Sequence, residues 1–150
     1  MTTLFVDGDA CPVKEEASRV AARYELIVYL VSNQGMRQNL GPHVQNIMVG
    51  PEFDAADNWI VEHIDAGDIV VTNDIQLAAR CLKKSAHALG PTGKPFSADN
   101  IGSALAMREL SAYLREAGEI RGHNPNFSKH DRSQFLQSLD RIIQGIKAPR

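Results

Sequence analysis

Hydrophobic and polar positions alternate along this chain in blocks that predict strands and helices in turn. Short apolar runs at 4–6, 26–31, 44–49, 68–72 and 86–89 suit buried strands. Hydrophobic residues recur at helical spacing over 12–24, 54–64, 73–84, 99–117 and 131–146. This alternation predicts an α/β fold, a three-layer sandwich with a mostly parallel central sheet of about five strands and a C-terminal helix.

Capping signals predict where the helices begin. Pro12 suits the first position of a helix, which makes Cys11 the predicted cap of the first one. Asn73 and Asp131 each precede a glutamine by three residues, the spacing of a capping box. The last helix carries an apolar stripe that we expect to pack on the rest of the chain. This stripe consists of Phe135, Leu139, Ile142, Ile143 and Ile146.

The composition fits one ordinary globular domain. The chain has 150 residues, of which 43% are hydrophobic and 23% charged. No apolar run approaches the length of a membrane span, and the N-terminus lacks the basic and apolar segments of a signal peptide. Two cysteines fit a reduced, cytoplasmic protein better than a disulfide scaffold. We therefore expect a single cytoplasmic domain over residues 1–150.

Charge is distributed unevenly along the chain. Residues 1–120 carry 10 Lys and Arg against 16 Asp and Glu, whereas residues 121–150 carry 6 Lys and Arg against 2 Asp. Such a basic tail could guide RNA while the acidic part holds metal ions. An ordinary solvated surface explains the tail equally well. The sequence pI of about 6.2 argues against nucleic-acid binding by bulk charge.

Two aspartates follow the first predicted strand. In an open α/β sheet, ligands bind beyond the carboxyl ends of the strands, which is where Asp7 and Asp9 fall. If both residues are extended, their spacing points both carboxylates to one side. This arrangement predicts a site for a hard cation such as Mg²⁺, or for phosphate. A solvated turn is the alternative, since aspartates are common in turns.

Further acids are expected at the same edge of the sheet. Asp57 lies in the helix after the third strand, and Asp74 follows the fourth strand beyond the predicted cap. Converging carboxylates repel one another unless a cation neutralises them, and an oxygen-only set favours Mg²⁺ or Mn²⁺. Asp54 and Asp99 are predicted at the start of helices, where the helix dipole by itself is enough to favour an acid.

Nearby polar and basic residues could support these acids. Thr72 and Asn73 directly precede Asp74 and are expected to assist the acids without binding metal. Lys14 stands in the first turn of a helix, where the dipole disfavours a cation. A bound phosphate would offset this mismatch, and solvent exposure is the alternative. Weaker candidates for contacts with phosphate or RNA are Arg37, Arg80 and Lys94.

Three stretches of the chain resemble a known family. They are Asp-Gly-Asp-Ala-Cys-Pro-Val-Lys (7–14), Phe-Asp-Ala-Ala-Asp-Asn-Trp-Ile (53–60) and Asp-Ile-Val-Val-Thr-Asn-Asp-Ile-Gln-Leu-Ala (68–78). In order and spacing they are similar to the YaiI/YqxD family of uncharacterised bacterial proteins, and the resemblance covers nearly the whole chain. The fold of that family is similar to PIN-like nuclease domains, so the resemblance implies a PIN-like domain here.

The resemblance also implies a function and a site. It implies a nuclease that depends on Mg²⁺ or Mn²⁺ and hydrolyses RNA phosphodiester bonds. Asp54 or Asp99 would supply an outer carboxylate. The metal-binding and catalytic acids implied are Asp7, Asp9, Asp57 and Asp74.

Two alternatives stay open. One is a phosphatase of the haloacid dehalogenase type, in which Asp7 is the nucleophile and Asp9 the general acid. Thr72, at the end of a later strand, could then imitate the hydroxyl residue of that class. The other is a non-catalytic PIN-like module that binds RNA or protein and retains the acids for structure.

Overall fold

The computed structural model describes residues 2–8, 13–32, 41–50, 52, 55–97, 101 and 128–147. Its strands are β1 (Thr3–Asp7), β2 (Ile27–Ser32), β3 (Val44–Met48), β4 (Ile69–Val71), β5 (His87–Leu89) and β6 (Pro95–Phe96). Its helices are α1 (Lys14–Arg23), α2 (Ala55–His63), α3 (Ile75–Leu82) and α4 (Lys129–Lys147). The helix predicted over 99–117 lies outside the described residues except for Ile101, which is helical.

The strands form one sheet with the order β3-β2-β1-β4-β5-β6. The pairs β3–β2, β2–β1, β1–β4 and β4–β5 are parallel, which confirms the predicted α/β sheet. β6 pairs antiparallel with β5 and was not predicted. A two-residue strand that begins with proline gives no alternating pattern, and proline is tolerated there because β6 is an edge strand.

Helices cover both faces of the sheet, as the sequence predicted. Residues of α1 and α4 share one buried cluster with Leu4 and Val6 of β1. Residues of α2 and α3 share another with Phe5 of the same strand. Because successive residues of a strand point to opposite faces, β1 contributes to both cores and is central to the three layers.

The caps predicted for α1 and α3 are wrong. The N-cap of α1 is Val13 rather than Cys11, and no side chain caps this helix. The N-cap of α3 is Asp74 rather than Asn73, and the Asp74 Oδ1 accepts the backbone N–H groups of Gln76 at 2.9 Å and Leu77 at 3.3 Å. Asparagine and aspartate cap helices about equally well, so two adjacent candidates could not be separated by residue type.

The last helix begins two residues earlier than predicted. The Asp131 backbone N–H donates to Ser128 Oγ at 3.1 Å, and the Ser128 N–H donates to Asp131 Oδ2 at 3.0 Å. This is a reciprocal capping box in which Ser128 is the cap and Asp131 is its partner, so the prediction that Asp131 caps the helix is wrong.

The apolar stripe of α4 packs as predicted. Phe135, Leu139 and Ile143 are fully buried, and Ile142 and Ile146 are partly buried against the same cluster.

One basic residue of the C-terminal tail forms an ion pair with another helix. Arg132 Nη1 donates to Glu16 Oε1 of α1 at 2.8 Å, and the Glu16 side chain is only 6% exposed.

Gly93 allows α4 to dock against the turn between β5 and β6. Its φ is +90°, and a Cβ there would lie 2.6 Å from the Gln134 carbonyl carbon. Its carbonyl oxygen accepts the Ser138 hydroxyl at 2.7 Å. Only glycine fits both the positive φ and the close approach.

Gly93→Ala is therefore expected to lower the free energy of unfolding by about 2–4 kcal/mol, because left-handed backbone strain and overpacking add. Gly67→Ala is the matched control, since Gly67 has φ +85° and nothing within 4 Å of a Cβ. We expect a loss of about 1 kcal/mol there. Urea unfolding of both variants measures the difference, and equal losses would contradict the docking role of Gly93.

Within the described residues, no helix is long and apolar enough to cross a membrane.

Candidate functional site

The site lies where the strand order reverses. β1 and β4 are neighbours, and from them the sheet continues through β2 on one side and β5 on the other. In open α/β sheets, the carboxyl ends of two such strands form a crevice in which ligands bind. Asp7 is the last residue of β1, and Thr72 directly follows β4. The acid predicted at the end of the first strand therefore borders this crevice.

Thr72 connects the two sides of the crevice. It is fully buried, and its hydroxyl donates to Asp7 Oδ2 at 3.1 Å. The Thr72 hydroxyl oxygen also accepts the backbone N–H of Asp74 at 3.0 Å. Asp7, which is 7% exposed, is thereby held in place relative to the start of α3. The sequence predicted that Thr72 assists the acids, and these two hydrogen bonds are the contacts through which it would do so.

Asp57 brings a third carboxylate to the same place. It lies in the first turn of α2 and is half-buried. Burial, the negative charges of Asp74 and Asp7, and a hydrogen bond with Asp74 raise the pKa of Asp57 to about 6, against a small lowering by Arg80. A hydrogen bond that raises this pKa must favour the neutral acid, so protonated Asp57 donates to the Asp74 carboxylate. Acids from three elements therefore converge at one edge.

We call Asp7, Asp57 and Asp74 the acidic cluster. Asp57 and Asp74 form a pair, and Asp7 lies beside it. Asp57 and Asp74 share a hydrogen bond, whereas Asp7 acts on Asp57 through its charge. Among the described residues, no three His, Cys, Asp or Glu side chains form a group that could hold a metal ion. Three of the candidate acids lie outside the described residues, and so does one candidate cation. They are Asp9, Asp54, Asp99 and Arg37.

Basic residues are present at the same edge. Arg80 Nη2 donates to Asn58 Oδ1 at 2.9 Å, and its charge lowers the pKa of neighbouring Asp57. Lys94 is exposed on the turn that follows β5, and Lys14 is half-exposed at the start of α1. Asn58 was missed, because an asparagine on an exposed helix face carries no signal until its partner on α3 is known.

Cys81 is not a candidate nucleophile. It is a free, fully buried cysteine on α3. Burial raises the pKa of its thiol to about 11, so the reactive thiolate is scarce near neutral pH. The contribution of α3 to the site is therefore the carboxylate of its cap, Asp74.

The raised pKa of Asp57 predicts how pH changes stability. Asp57 has an ordinary pKa of 3.8 and a folded pKa of about 6, so the folded state binds its proton more tightly than the unfolded state. The resulting stabilisation is complete below about pH 4 and is lost as pH rises through 6. Asp57→Asn, without metal, should raise the free energy of unfolding at pH 7.5 by about 1–2 kcal/mol. This gain in unfolding free energy is smaller than the pKa change from 3.8 to about 6 would give for a fully buried carboxyl, because solvent screens a half-buried group.

The difference between Asp57→Asn and the parent protein should shrink towards zero as pH falls to 4. Urea unfolding in a chelator at pH 7.5, 6 and 4 measures it. A difference in unfolding free energy that does not change with pH would show that the pKa of Asp57 is not raised in the folded protein.

The fold and these residues define an α/β protein whose mostly parallel sheet carries an acidic cluster at its switch point. The family model described as "Uncharacterized BCR, YaiI/YqxD family" matches residues 5–145, and the chain belongs to this family.

Curated relatives match along almost their whole length. A UPF0178 protein of Parvibaculum lavamentivorans is 53% identical over 147 residues, which cover 98% of this chain and 97% of that protein. A UPF0178 protein of Mesorhizobium japonicum is 51% identical over 142 residues, covering 95% of this chain and 92% of the relative. One from Rhodospirillum centenum is 50% identical, with all of both chains covered. No solved structure gives a significant match.

Proposed function

We propose that this protein is a nuclease that depends on Mg²⁺ or Mn²⁺ and hydrolyses RNA phosphodiester bonds at the acidic cluster. The observation that carries the proposal is the convergence of Asp7, Asp57 and Asp74 at the carboxyl edge of β1 and β4. The resemblance to PIN-like nucleases gives this cluster its reaction class. Asp9, two residues beyond Asp7, completes the proposed set.

The donor chemistry of the cluster suits a hard divalent cation. Its members are carboxylates, with the Thr72 hydroxyl bound to Asp7. A divalent cation would remove the repulsion that helps to raise the pKa of Asp57, so binding and deprotonation of Asp57 are coupled. Bound metal would supply an activated water and stabilise the leaving oxygen. No cysteine or histidine is needed, which favours Mg²⁺ or Mn²⁺ over zinc.

The roles of the protein groups follow from their placement. Asp7, fixed by Thr72, and Asp74, fixed as a helix cap, would bind metal with little reorganisation, because both are already held by the fold. Asp57 is the adaptable member, since it can hold a proton near pH 6. Arg80 would position a substrate phosphate from α3, and Asn58 holds its guanidinium.

RNA is the substrate we favour within the phosphodiesters. Lys14, Arg80 and Lys94 are cations at the same edge as the acids, and they would offset the repulsion between carboxylates and the phosphate backbone. The cytoplasm, where RNA is abundant, is the proposed location. The PIN-like resemblance supports RNA rather than a small phosphomonoester.

The haloacid dehalogenase-type phosphatase is the second candidate, favoured by the contact between Thr72 and Asp7. In that chemistry the Asp7 carboxylate attacks phosphorus and forms an aspartyl-phosphate. Here the Asp7 carboxylate is 7% exposed and accepts the Thr72 hydroxyl, so both groups are already engaged with each other. Thr72 therefore suits either chemistry, and the nuclease is favoured by the other two acids at this edge, Asp57 and Asp74.

Substrate and adduct together separate the candidates. With Mn²⁺, the protein should cleave end-labelled single-stranded RNA and leave p-nitrophenyl phosphate intact. Mass spectrometry after incubation with beryllium fluoride and Mg²⁺ should find no acyl-phosphate mimic on Asp7. An adduct at Asp7 with phosphomonoester turnover would establish the phosphatase instead. RNA binding without cleavage of either substrate would indicate a non-catalytic module.

A further inference from the structure

A cavity lies at the edge of the sheet opposite the acidic cluster, where the parallel strands begin. Its volume is about 450 Å³, within the range of small-molecule sites. β1 and β2, the last turn of α2 and the loop before β4 surround it. The main side chains at its surface are Phe5, Tyr29, Trp59, His63, Asp65 and Asp68. None of these residues belongs to the acidic cluster, so this cavity is independent of the proposed nuclease.

Aromatic rings form the walls of this cavity at several angles. Tyr29 and Trp59 meet edge to face, with centroids 5.6 Å apart, and Phe5 lies 5.5 Å from Tyr29. Trp59 stacks on His63 with centroids 3.9 Å apart. His63 Nδ1–H donates to the Trp59 carbonyl oxygen at 2.7 Å, which fixes the imidazole in this stack. Tyr29 and Trp59 are only partly buried, so they expose ring surface that can attract a cation.

Two carboxylates complete the cavity. Asp68 is buried, and its two oxygens accept the backbone N–H groups of Thr3 and Asp65, both at 2.9 Å. These bonds fix one negative charge at the cavity. Asp65 is exposed and adds a second. Among the described residues that line the cavity, there is no Lys or Arg.

We propose that this cavity binds a small organic cation, a guanidinium or ammonium group on an alkyl stem. The ring faces and the two carboxylates both attract positive charge, whereas phosphate would be repelled. The apolar parts of Tyr29 and Trp59 would cover the stem, with the buried Phe5 ring behind them. The same chemistry could come from a free metabolite or from an arginine side chain of a partner protein. A volume of about 450 Å³ fits a free small molecule.

Trp59 is the single tryptophan of the chain, so its fluorescence reports directly on this cavity. Butylguanidinium should give a saturable change in this fluorescence, and the neutral analogue butylurea should give none. A blocked Gly-Arg-Gly peptide should bind more weakly than butylguanidinium. Equal binding of the peptide would overturn the assignment to a free molecule.

Variants of two acids test the charge contribution. Asp65→Asn should weaken butylguanidinium binding roughly fivefold, because it removes one carboxylate from the cavity. Glu62→Gln is the matched control, since Glu62 is exposed on the same helix as Trp59 and does not line the cavity. It should change affinity less than twofold. The proposal would be overturned if butylurea changed the Trp59 fluorescence as much as butylguanidinium, or if butylguanidinium gave no saturable change. Equal weakening of butylguanidinium binding in both variants would also overturn it.

Discussion

Replacing Asp7 with asparagine is expected to lower the rate of Mn²⁺-dependent RNA hydrolysis by roughly 10³-fold, about 4 kcal/mol of lost transition-state stabilisation. The asparagine would keep the shape of the side chain and could still accept the Thr72 hydroxyl, which now lies 3.1 Å from Asp7 Oδ2. Only the negative charge is lost. The melting temperature without metal should therefore stay the same or rise slightly, because repulsion between Asp7 and Asp57 is relieved.

Glu62→Gln is the control for this loss of charge. It removes one carboxylate from an exposed position of α2, away from the acidic cluster, and should leave the rate within twofold of the parent protein. Equal rates for Asp7→Asn and the parent protein would show that any RNA cleavage comes from another site or from a contaminant.

Mn²⁺ should raise the melting temperature of the parent protein by roughly 5–10 °C at a free concentration one hundredfold above its dissociation constant. Ligand binding at that excess adds about 2.7 kcal/mol, and each kcal/mol moves the midpoint by about 2–4 °C in a protein of this size. The unfolded chain has no assembled acidic cluster, so the metal stabilises only the folded state. Differential scanning calorimetry with a Mn²⁺ titration measures the shift.

Asp7→Asn should abolish this shift, and lowering the pH below 6 should weaken it in the parent protein. The pH effect arises because Asp57, with a pKa of about 6, must lose its proton to bind metal. A shift of the same size in Asp7→Asn would place the bound Mn²⁺ outside the acidic cluster.

The fold could be predicted because apolar runs alternated with helical repeats. Buried strands such as Ile69–Val71 and the stripe of Phe135, Leu139 and Ile143 are determined by burial, which the hydrophobic pattern records directly. β6 and the exact helix caps could not be predicted, because they depend on local hydrogen bonds. Asp74 and Asn73 are equivalent in residue type, and only the backbone geometry selects Asp74.

Part of the candidate site was also accessible from the sequence. Asp7 and Asp74 follow strands that the hydrophobic pattern located, so their common edge followed from the predicted topology. The pairing of Asp57 with Asp74 and the bridge through Thr72 required the packing of α2 against α3 and of β1 beside β4. Contacts between residues that are far apart in the sequence cannot be read from the hydrophobic pattern alone.

The cap role of Asp74 changes the interpretation of that residue. The sequence placed it just past the predicted cap, where an acid is favourable for the helix dipole but where Asp74 would also approach Asp7. In the structure, its Oδ1 accepts two backbone N–H groups of α3. Its presence is therefore explained by helix capping alone, and the proposed metal site is supported by its contact with Asp57 and the nearby charge of Asp7.

The most direct test of the central claim is the anomalous scattering of Mn²⁺ in a crystal of this protein soaked in MnCl₂ near pH 7.5. We expect a peak between Asp7 and Asp74, with carboxylate oxygens of the acidic cluster at roughly 2.0–2.2 Å from the ion. A crystal at saturating Mn²⁺ with no peak at this edge, or with Mn²⁺ bound only elsewhere, would contradict it.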